Sequence, residues 1–331
     1  MKNVLLIGGA GYVGSVITDF LLRNNYKVTC LDYFLYDNQR TVMPYILNEN
    51  YKFIYGDFCK QDQLNSALNG ITDVVILAGL VGDPITKKYP DESRLINDEG
   101  MLNLFKSLNG KGLDKVVFVS TCSNYGLIKN DELADENFEL SPLSLYAKAK
   151  VAAEKSLLSN DNQFDFSPVV LRFATAFGLS PRMRFDLTVS EFTKDLVLGK
   201  ELLVYDAHTW RPYCHVKDFA RLIEIVFNAP KNVVNKQVFN AGGEINNFTK
   251  QGILDTILKY LPNSKINFKE HGTDPRNYKV NFSKVKSVLG FEPKYSVEDG
   301  VVELIEAFKL NLFNNLEKDN DFHGNYNLTY K

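Results

Sequence analysis

The chain lacks a cysteine framework. Its four cysteines, Cys30, Cys59, Cys122 and Cys214, are far apart and form no C-x-x-C pair, which excludes a disulfide scaffold, gives no sign of a metal site and fits reduced thiols in the cytoplasm. Long hydrophobic runs are missing as well. Met1-Lys2-Asn3 leads into only four aliphatic residues, Val4 to Ile7, before a glycine cluster, too short for a signal-peptide core, and no apolar stretch reaches the length of a membrane span. Nor is there an excess of one charge: 38 Lys plus Arg against 40 Asp plus Glu give a net charge of -2. No global positive field draws nucleic acid or an acidic membrane surface, so neither is expected as a partner.

What is present is a chain of 331 residues, 45% hydrophobic and 24% charged, long enough for one large α/β unit with a smaller companion. Its first half alternates short β-branched runs with helix-like segments, the rhythm of βαβ units around a parallel sheet. Strands are predicted over Asn3 to Ile7, Lys27 to Leu31, Lys52 to Tyr55, Asp73 to Leu77, Lys115 to Ser120 and Pro168 to Phe173; they are apolar almost throughout, as strands covered on both faces are. After Phe173 the rhythm breaks. Helical patterns follow around Leu187 to Leu198 and Val216 to Phe227, and from about Asn246 the chain reads as mostly helix and loop, ending in a helix over Val297 to Phe313 and a polar, Asn-rich, loosely held tail. The expected architecture is a Rossmann-type doubly wound parallel sheet over residues 1–173, to which the chain returns at 213–245, with a smaller, mixed substrate-binding cap from 174–212 and 246–331.

The run Gly8-Gly9-Ala10-Gly11-Tyr12-Val13-Gly14 follows the first strand and opens an amphipathic segment, Ser15 to Leu22. Glycines there permit a tight turn, close approach to a pyrophosphate and helix-to-strand packing, and the helix N-terminus offers amide donors. Asp32 ends the second strand, where a carboxylate accepts from the adenosine ribose hydroxyls and repels a 2′-phosphate, favouring NAD over NADP. Asp57, at the end of strand three, is either an adenine-side acceptor or an ordinary turn aspartate.

A tyrosine four residues before a lysine on a helix puts phenol and ammonium on one face, where the positive charge favours phenolate; such a phenol can exchange a proton with a sugar hydroxyl while hydride moves to nicotinamide. The chain has this spacing three times: Tyr125 and Lys129, Tyr146 and Lys150, Tyr213 and Lys217. Tyr125 precedes a loop glycine and Tyr213 follows Pro212 at a helix entry. Only Tyr146 and Lys150 fall inside a segment of high helix propensity, Leu145 to Leu158. Thr121, at the end of strand five, is the hydroxyl partner; Ser120 and Ser123 read as capping hydroxyls.

In these residues the sequence resembles the extended short-chain dehydrogenase/reductase family, in particular its nucleotide-sugar epimerases, dehydratases and oxidases. Gly8, Gly11 and Gly14 match the family's glycine loop, Asp32 its NAD-selective acid, Asp57 its adenine-side Asp, Asn97 with Gly100 its N-x-x-G, Thr121 its catalytic Ser or Thr, and Tyr146 with Lys150 its Y-x-x-x-K. The resemblance implies a Lys150 that also holds the nicotinamide ribose, and NAD as cofactor. Arg172 begins a segment like the family's R-x-x-N-x-Y-G, in which Thr175 replaces the Asn. Arg211 to Val216 resembles R-D-x-x-H-V, and Asp274-Pro275-Arg276 the late arginine block that meets the substrate diphosphate. With Arg182 and Arg184 these make the expected substrate set, although Arg211 also reads as a surface ion pair and His215 as a core histidine. Where the family's 4,6-dehydratases carry Asp-Glu after the catalytic Thr, this chain has Cys122 and Ser123. The implied activity is hydride removal from C4 of a nucleotide-diphosphate sugar, with a 4-epimerase or a non-catalytic NAD-binding regulatory subunit as alternatives. A looser resemblance to GDP-heptose oxidases of capsular polysaccharide assembly suggests the sugar. A homo-oligomer, dimer or tetramer, is expected.

Overall fold

The structure is a computed structural model that describes every residue except 129–131, 272–275, 314, 315, 317, 319 and 331; Lys129, Asp274 and Pro275 therefore lie outside the described residues. Five strands, β1 (Asn3–Ile7), β2 (Lys27–Asp32), β3 (Tyr51–Tyr55), β4 (Asp73–Ile76) and β5 (Lys115–Thr121), join Ser167–Phe173 and Gln237–Ala241 in one sheet. Every pairing is parallel, and the order across it is Gln237–Ala241, Ser167–Phe173, β5, β4, β1, β2, β3. Strand order reverses between β1 and β4, which opens a crevice beyond their carboxyl ends.

Successive residues of a strand face opposite sides of the sheet, and the core divides accordingly. Leu6, Val75 and Val117 pack with Ile17 and Leu21 of the helix Tyr12–Arg23 and with Phe219 and Ile223 of the helix Val216–Asn228. Their neighbours Leu5, Val74 and Val116 pack on the other face with Leu104, Phe105 and Leu157. This double coverage is why the strands are apolar throughout rather than alternating.

The observed strands match the six predicted ones to within a residue at each end. The seventh, Gln237–Ala241, has its first two residues only half-buried, as befits an edge strand, and its short pattern gives no clear signal. Tyr213 does not enter a helix: it lies in the strand Trp210–His215, which pairs in parallel with Thr175–Phe177 and antiparallel with Asn247–Thr249. The helix begins only at Val216, where His215 Nδ1 accepts from the Lys217 amide at 3.1 Å. The later part is more mixed than helix and loop, since Ile266–Lys269 pairs with Leu202–Tyr205. Its closing segment is not loosely held. Phe322 and Asn325 are buried, and the Phe185 amide donates to His323 O at 2.8 Å. Among the described residues no helix is long and apolar enough to cross a membrane.

Candidate active site

At the carboxyl edge of the sheet lies a cavity of about 470 Å³. Its cofactor end is made largely by backbone. Gly8 has φ +88°, and a Cβ there would stand 2.8 Å from Ala78 N; one on Gly14 would stand 2.5 Å from Gly8 O. These two glycines are demanded by the fold. Gly11 is different: an added Cβ would meet no protein atom closer than 3.4 Å, so the room left by its missing side chain belongs to the cavity it lines. Gly11 also caps the helix Tyr12–Arg23 without any side-chain acceptor, leaving the amides of Tyr12, Val13 and Gly14 to bind an anion at the positive end of the helix. This cradle fits a dinucleotide pyrophosphate.

Asp32 borders the same cavity, and each of its oxygens accepts one amide, from Ala10 at 2.9 Å and Phe34 at 2.9 Å. Burial pushes its carboxyl up while those amides pull it down. A carboxylate oxygen accepts more than one bond, so capacity for ribose hydroxyls remains. Asp57 accepts from the Cys59 amide at 2.8 Å and, unforeseen, from the Tyr330 hydroxyl at 2.8 Å. Asn97 corrects the expectation of a cofactor ligand. It stands in a π-helical stretch, Arg94–Gly100, and is spent on the backbone of Leu80, accepting from its amide at 2.8 Å and donating to its carbonyl at 3.0 Å. Asn97 thus braces the loop behind the cavity wall.

The tyrosines of the three pairs stand in different surroundings. Ser144 caps the helix Leu145–Leu158, its hydroxyl accepting from the Ala147 amide at 3.1 Å, and Tyr146 and Lys150 both line the cavity. Lys150 Nζ donates to Val119 O at 2.8 Å and sits 5.9 Å from the centre of the Tyr146 ring. Burial lowers Lys150 to about 8, with Glu154 opposing. Burial also pushes the Tyr146 hydroxyl well above the usual phenol value, against Arg184 and Arg276, which pull it down. Burial is thus the largest influence on the phenol, and the cations that oppose it, Arg184 and Arg276, line the same cavity.

Tyr125 is fully buried, donating to Asn240 Oδ1 at 2.7 Å and accepting from Arg172 Nη1 at 3.1 Å. Tyr213 touches the cavity, but Lys217 is committed to Glu303 at 2.5 Å. Thr121 lines the cavity with its Oγ1 accepting from the Ser123 amide at 3.1 Å. Ser120 instead bonds Glu154, which also takes Arg172 Nη2 at 2.7 Å. Ser123 reaches the cavity and lies 3.3 Å from the Tyr278 hydroxyl. Cys122 is buried and donates to Arg172 O at 3.0 Å, with burial pushing its thiol up.

The substrate end is assembled from side chains of distant segments. Thr175, Arg184, Arg211 and Arg276 all line the cavity. Asp186 grips Arg184 in a fork, at 2.7 and 2.6 Å, and Asp83 holds Arg276 at 3.2 Å; carboxylate pairing of this kind fixes the guanidinium plane. Arg211 lies 5.1 Å from the Tyr278 ring centre, buried rather than at the surface, whereas His215 is a core histidine 3.0 Å from Glu303. Arg182 lines the same cavity and is also engaged with the protein itself. Its Nη2 donates to Asn325 Oδ1 at 2.8 Å and Gly324 O at 3.1 Å, and its guanidinium lies 4.5 Å from the Tyr36 ring centre. Several contributors escaped the sequence reading, Asp186 and Tyr278 among them. Asp83 opens the short helix Asp83–Lys88, seven residues past β4, and Asn325 and Tyr330 lie far along the chain; none of them carried a local signal.

Residues 4–242 match the model of the NAD dependent epimerase/dehydratase family. The dTDP-glucose 4,6-dehydratase of Streptomyces niveus is 27% identical over 329 residues, covering 93% of each chain. An uncharacterized protein of Methanocaldococcus jannaschii is 28% identical over 322 residues, 93% of this chain and 96% of that one. Among solved structures, UDP-glucuronic acid 4-epimerase from Bacillus cereus, in complex with UDP-glucuronic acid and NAD, superposes with a TM-score of 0.84 at 25% identity, covering 94% of this chain and 100% of that one. The match to the family model runs from the first strand to the seventh and includes the glycine loop, Thr121, Tyr146 and Lys150. This chain belongs to the NAD-dependent epimerase/dehydratase family, and its cofactor is NAD.

Proposed function

We propose that the protein oxidises C4 of a nucleotide-diphosphate sugar. NAD, when bound, accepts the hydride from C4. Tyr146 takes the proton from the 4-hydroxyl as phenolate, a form that the cations Lys150, Arg184 and Arg276 favour against burial; Thr121 steadies the reacting oxygen by a second hydrogen bond, and Lys150 also holds the ribose. The observation that carries this reading is the sorting of the three tyrosines: Tyr146 and its lysine both border the cavity, while Tyr125 and Lys217 are bound elsewhere. A purely regulatory NAD-binding subunit has no use for a phenol placed beside an ammonium.

Thr175, Arg184, Arg211 and Arg276 receive the substrate, with Arg276 and its neighbours meeting the diphosphate; segments 174–212 and 246–331 form the substrate-binding part. The keto sugar leaves as product, the hydride left on the cofactor passes to a second, carbonyl-bearing acceptor before the next turnover, and a GDP-heptose is the proposed substrate. A second reading returns the hydride to the opposite face, giving a 4-epimerase; the likeness to the UDP-glucuronic acid 4-epimerase favours it. Dehydration is disfavoured on either reading. Eliminating water across C5 and C6 requires a base and an acid, and Cys122 is buried away from the cavity while Ser123 offers only a hydroxyl. We place the enzyme in the cytoplasm as a homo-oligomer.

The test is turnover in heavy water with a panel of nucleotide sugars. The account expects a transient NADH signal and a product that keeps its C6 oxygen and carries no deuterium at C5. Loss of one water from the product mass, or deuterium at C5, sinks the reading in favour of a dehydratase.

A further inference from the structure

The segment Asp321–Tyr330 is bonded to several residues that line the cavity, Asp57, Val81 and Arg182 among them. On the sheet side, Asn325 Nδ2 donates to Val81 O at 2.9 Å and Lys88 Nζ donates to Asn327 Oδ1 at 2.6 Å. Leu328 and Tyr330 pack on the core cluster beneath β4 and β5, and the Tyr330 hydroxyl reaches Asp57. On the other side, the Phe185 amide donates to His323 O, and Arg182 donates to Gly324 O and Asn325 Oδ1. Asn325 and Tyr330 line the same cavity as Gly8, Asp32 and Tyr146. Tyr330 meets Tyr33 edge-on, ring centres 5.7 Å apart, and both rings line the cavity.

We propose that Asp321–Tyr330 is a built part of the cofactor site, a clasp that keeps NAD in the cleft between turnovers, with Tyr330 acting at the adenine end beside Asp57 and Asn325 tying the two walls together. The physical argument is one of exit. A dinucleotide lying along the glycine loop toward Asp57 lies against Asn325 and Tyr330, and the segment that carries them is anchored to Val81, Asp57, Arg182 and Phe185, so release requires the clasp to detach and break those bonds first. A cofactor held this way must be recycled in place rather than exchanged. This goes beyond the sugar chemistry proposed above and rests only on NAD binding, so it stands or falls independently of which sugar is oxidised.

The experiment is an exchange measurement on the full protein loaded with NADH and chased with excess NAD, read by loss of bound-NADH fluorescence, together with the dinucleotide content of the purified protein. A chain ending at Asn320 should release NADH at least about tenfold faster, and Tyr330→Phe about three- to tenfold faster, the range for losing one hydrogen bond in a dissociation step. Thermal midpoints of the NAD-stripped proteins should differ little between Tyr330→Phe and wild type, which separates retention from folding. If the shortened chain does not fold, the double variant Tyr330→Phe with Asn325→Ala decides. Release rates equal to wild type overturn the proposal. So does tighter NAD binding in either variant, which would mean that Tyr330 competes with the cofactor for Asp57.

Discussion

The two ends of the cleft are built by opposite means. At the cofactor end one continuous turn, Gly8 to Gly14, does most of the shaping through backbone geometry and helix polarity, with a strand-end carboxylate added at Asp32. At the arginine-lined end the parts come from separate segments: Arg276 depends on Asp83 and Arg211 on its place over Tyr278, and only Arg184 finds its anchor, Asp186, close by in the chain. A backbone cradle tolerates almost no substitution but needs no distant partner. A side-chain cluster is open to variation at each member but fails when any anchor is removed.

Breaking the comparison at its strongest point gives the largest expected effect. Gly14→Val forces a Cβ to within 2.5 Å of Gly8 O and should destabilise the protein by about 3 kcal/mol or leave it unfolded. Gly11→Ala, whose new Cβ stays 3.4 Å from the chain, should melt as wild type yet lose NAD. Thermal melts paired with dinucleotide content check both, and an equal loss of stability in the two variants would refute the distinction between fold-demanded and cofactor-demanded glycine.

At the other end, Arg276→Ala should raise the substrate KM by about 10- to 100-fold, the scale of a charge-assisted bond, with NAD content unchanged. Asp83→Ala should produce a smaller rise of the same kind, because it removes the anchor at 3.2 Å but leaves the cation. Steady-state kinetics with both variants tests this; an Asp83→Ala enzyme as good as wild type would show that Arg276 needs no carboxylate to hold it. Asp32→Ala should weaken NAD by about tenfold and narrow the preference over NADP, as titration with both dinucleotides would reveal.

The smallest effect is on pH dependence. Burial holds Lys150 down to about 8 from an ordinary 10.5. A lysine lowered in the folded state costs stability while charged, so the cost is complete below pH 8 and disappears as pH rises from about 8 to 10.5. In NAD-stripped protein the stability gap between Lys150→Met and wild type should therefore shift in favour of wild type as pH climbs through that window. A gap that stays flat across it would contradict a buried, titrating Lys150.

The same contrast decides how much was legible in advance. Parallel strands covered on both faces and a glycine loop are local patterns, and β1 to β5 with the helix Leu145–Leu158 follow them closely. Tyr213 misled because Pro212 looked like a helix entry, whereas pairing with Thr175 draws the segment into a strand. Arg182 lines the cavity, but its protein partners lie more than a hundred residues later, at Gly324 and Asn325, beyond any local pattern. Tyr330 beside Asp57 is a contact between residues 273 apart, and no local pattern announces it. Choosing Tyr146 over Tyr125 was possible from helix propensity alone; the reason Tyr125 is excluded, its place between Asn240 and Arg172 in a buried network, emerges only from the fold.

The central claim is that Tyr146 is the proton acceptor when C4 is oxidised. It is tested most directly by single-turnover formation of bound NADH in Tyr146→Phe, Tyr125→Phe and Tyr213→Phe proteins, each loaded with NAD and mixed with a nucleotide sugar that the wild type oxidises. The account predicts that Tyr146→Phe keeps its NAD and fold but forms NADH about 10²- to 10⁴-fold more slowly, the range for losing a positioned proton-transfer group, while the other two lose far less. A folded, NAD-loaded Tyr125→Phe or Tyr213→Phe protein slower than Tyr146→Phe would contradict it.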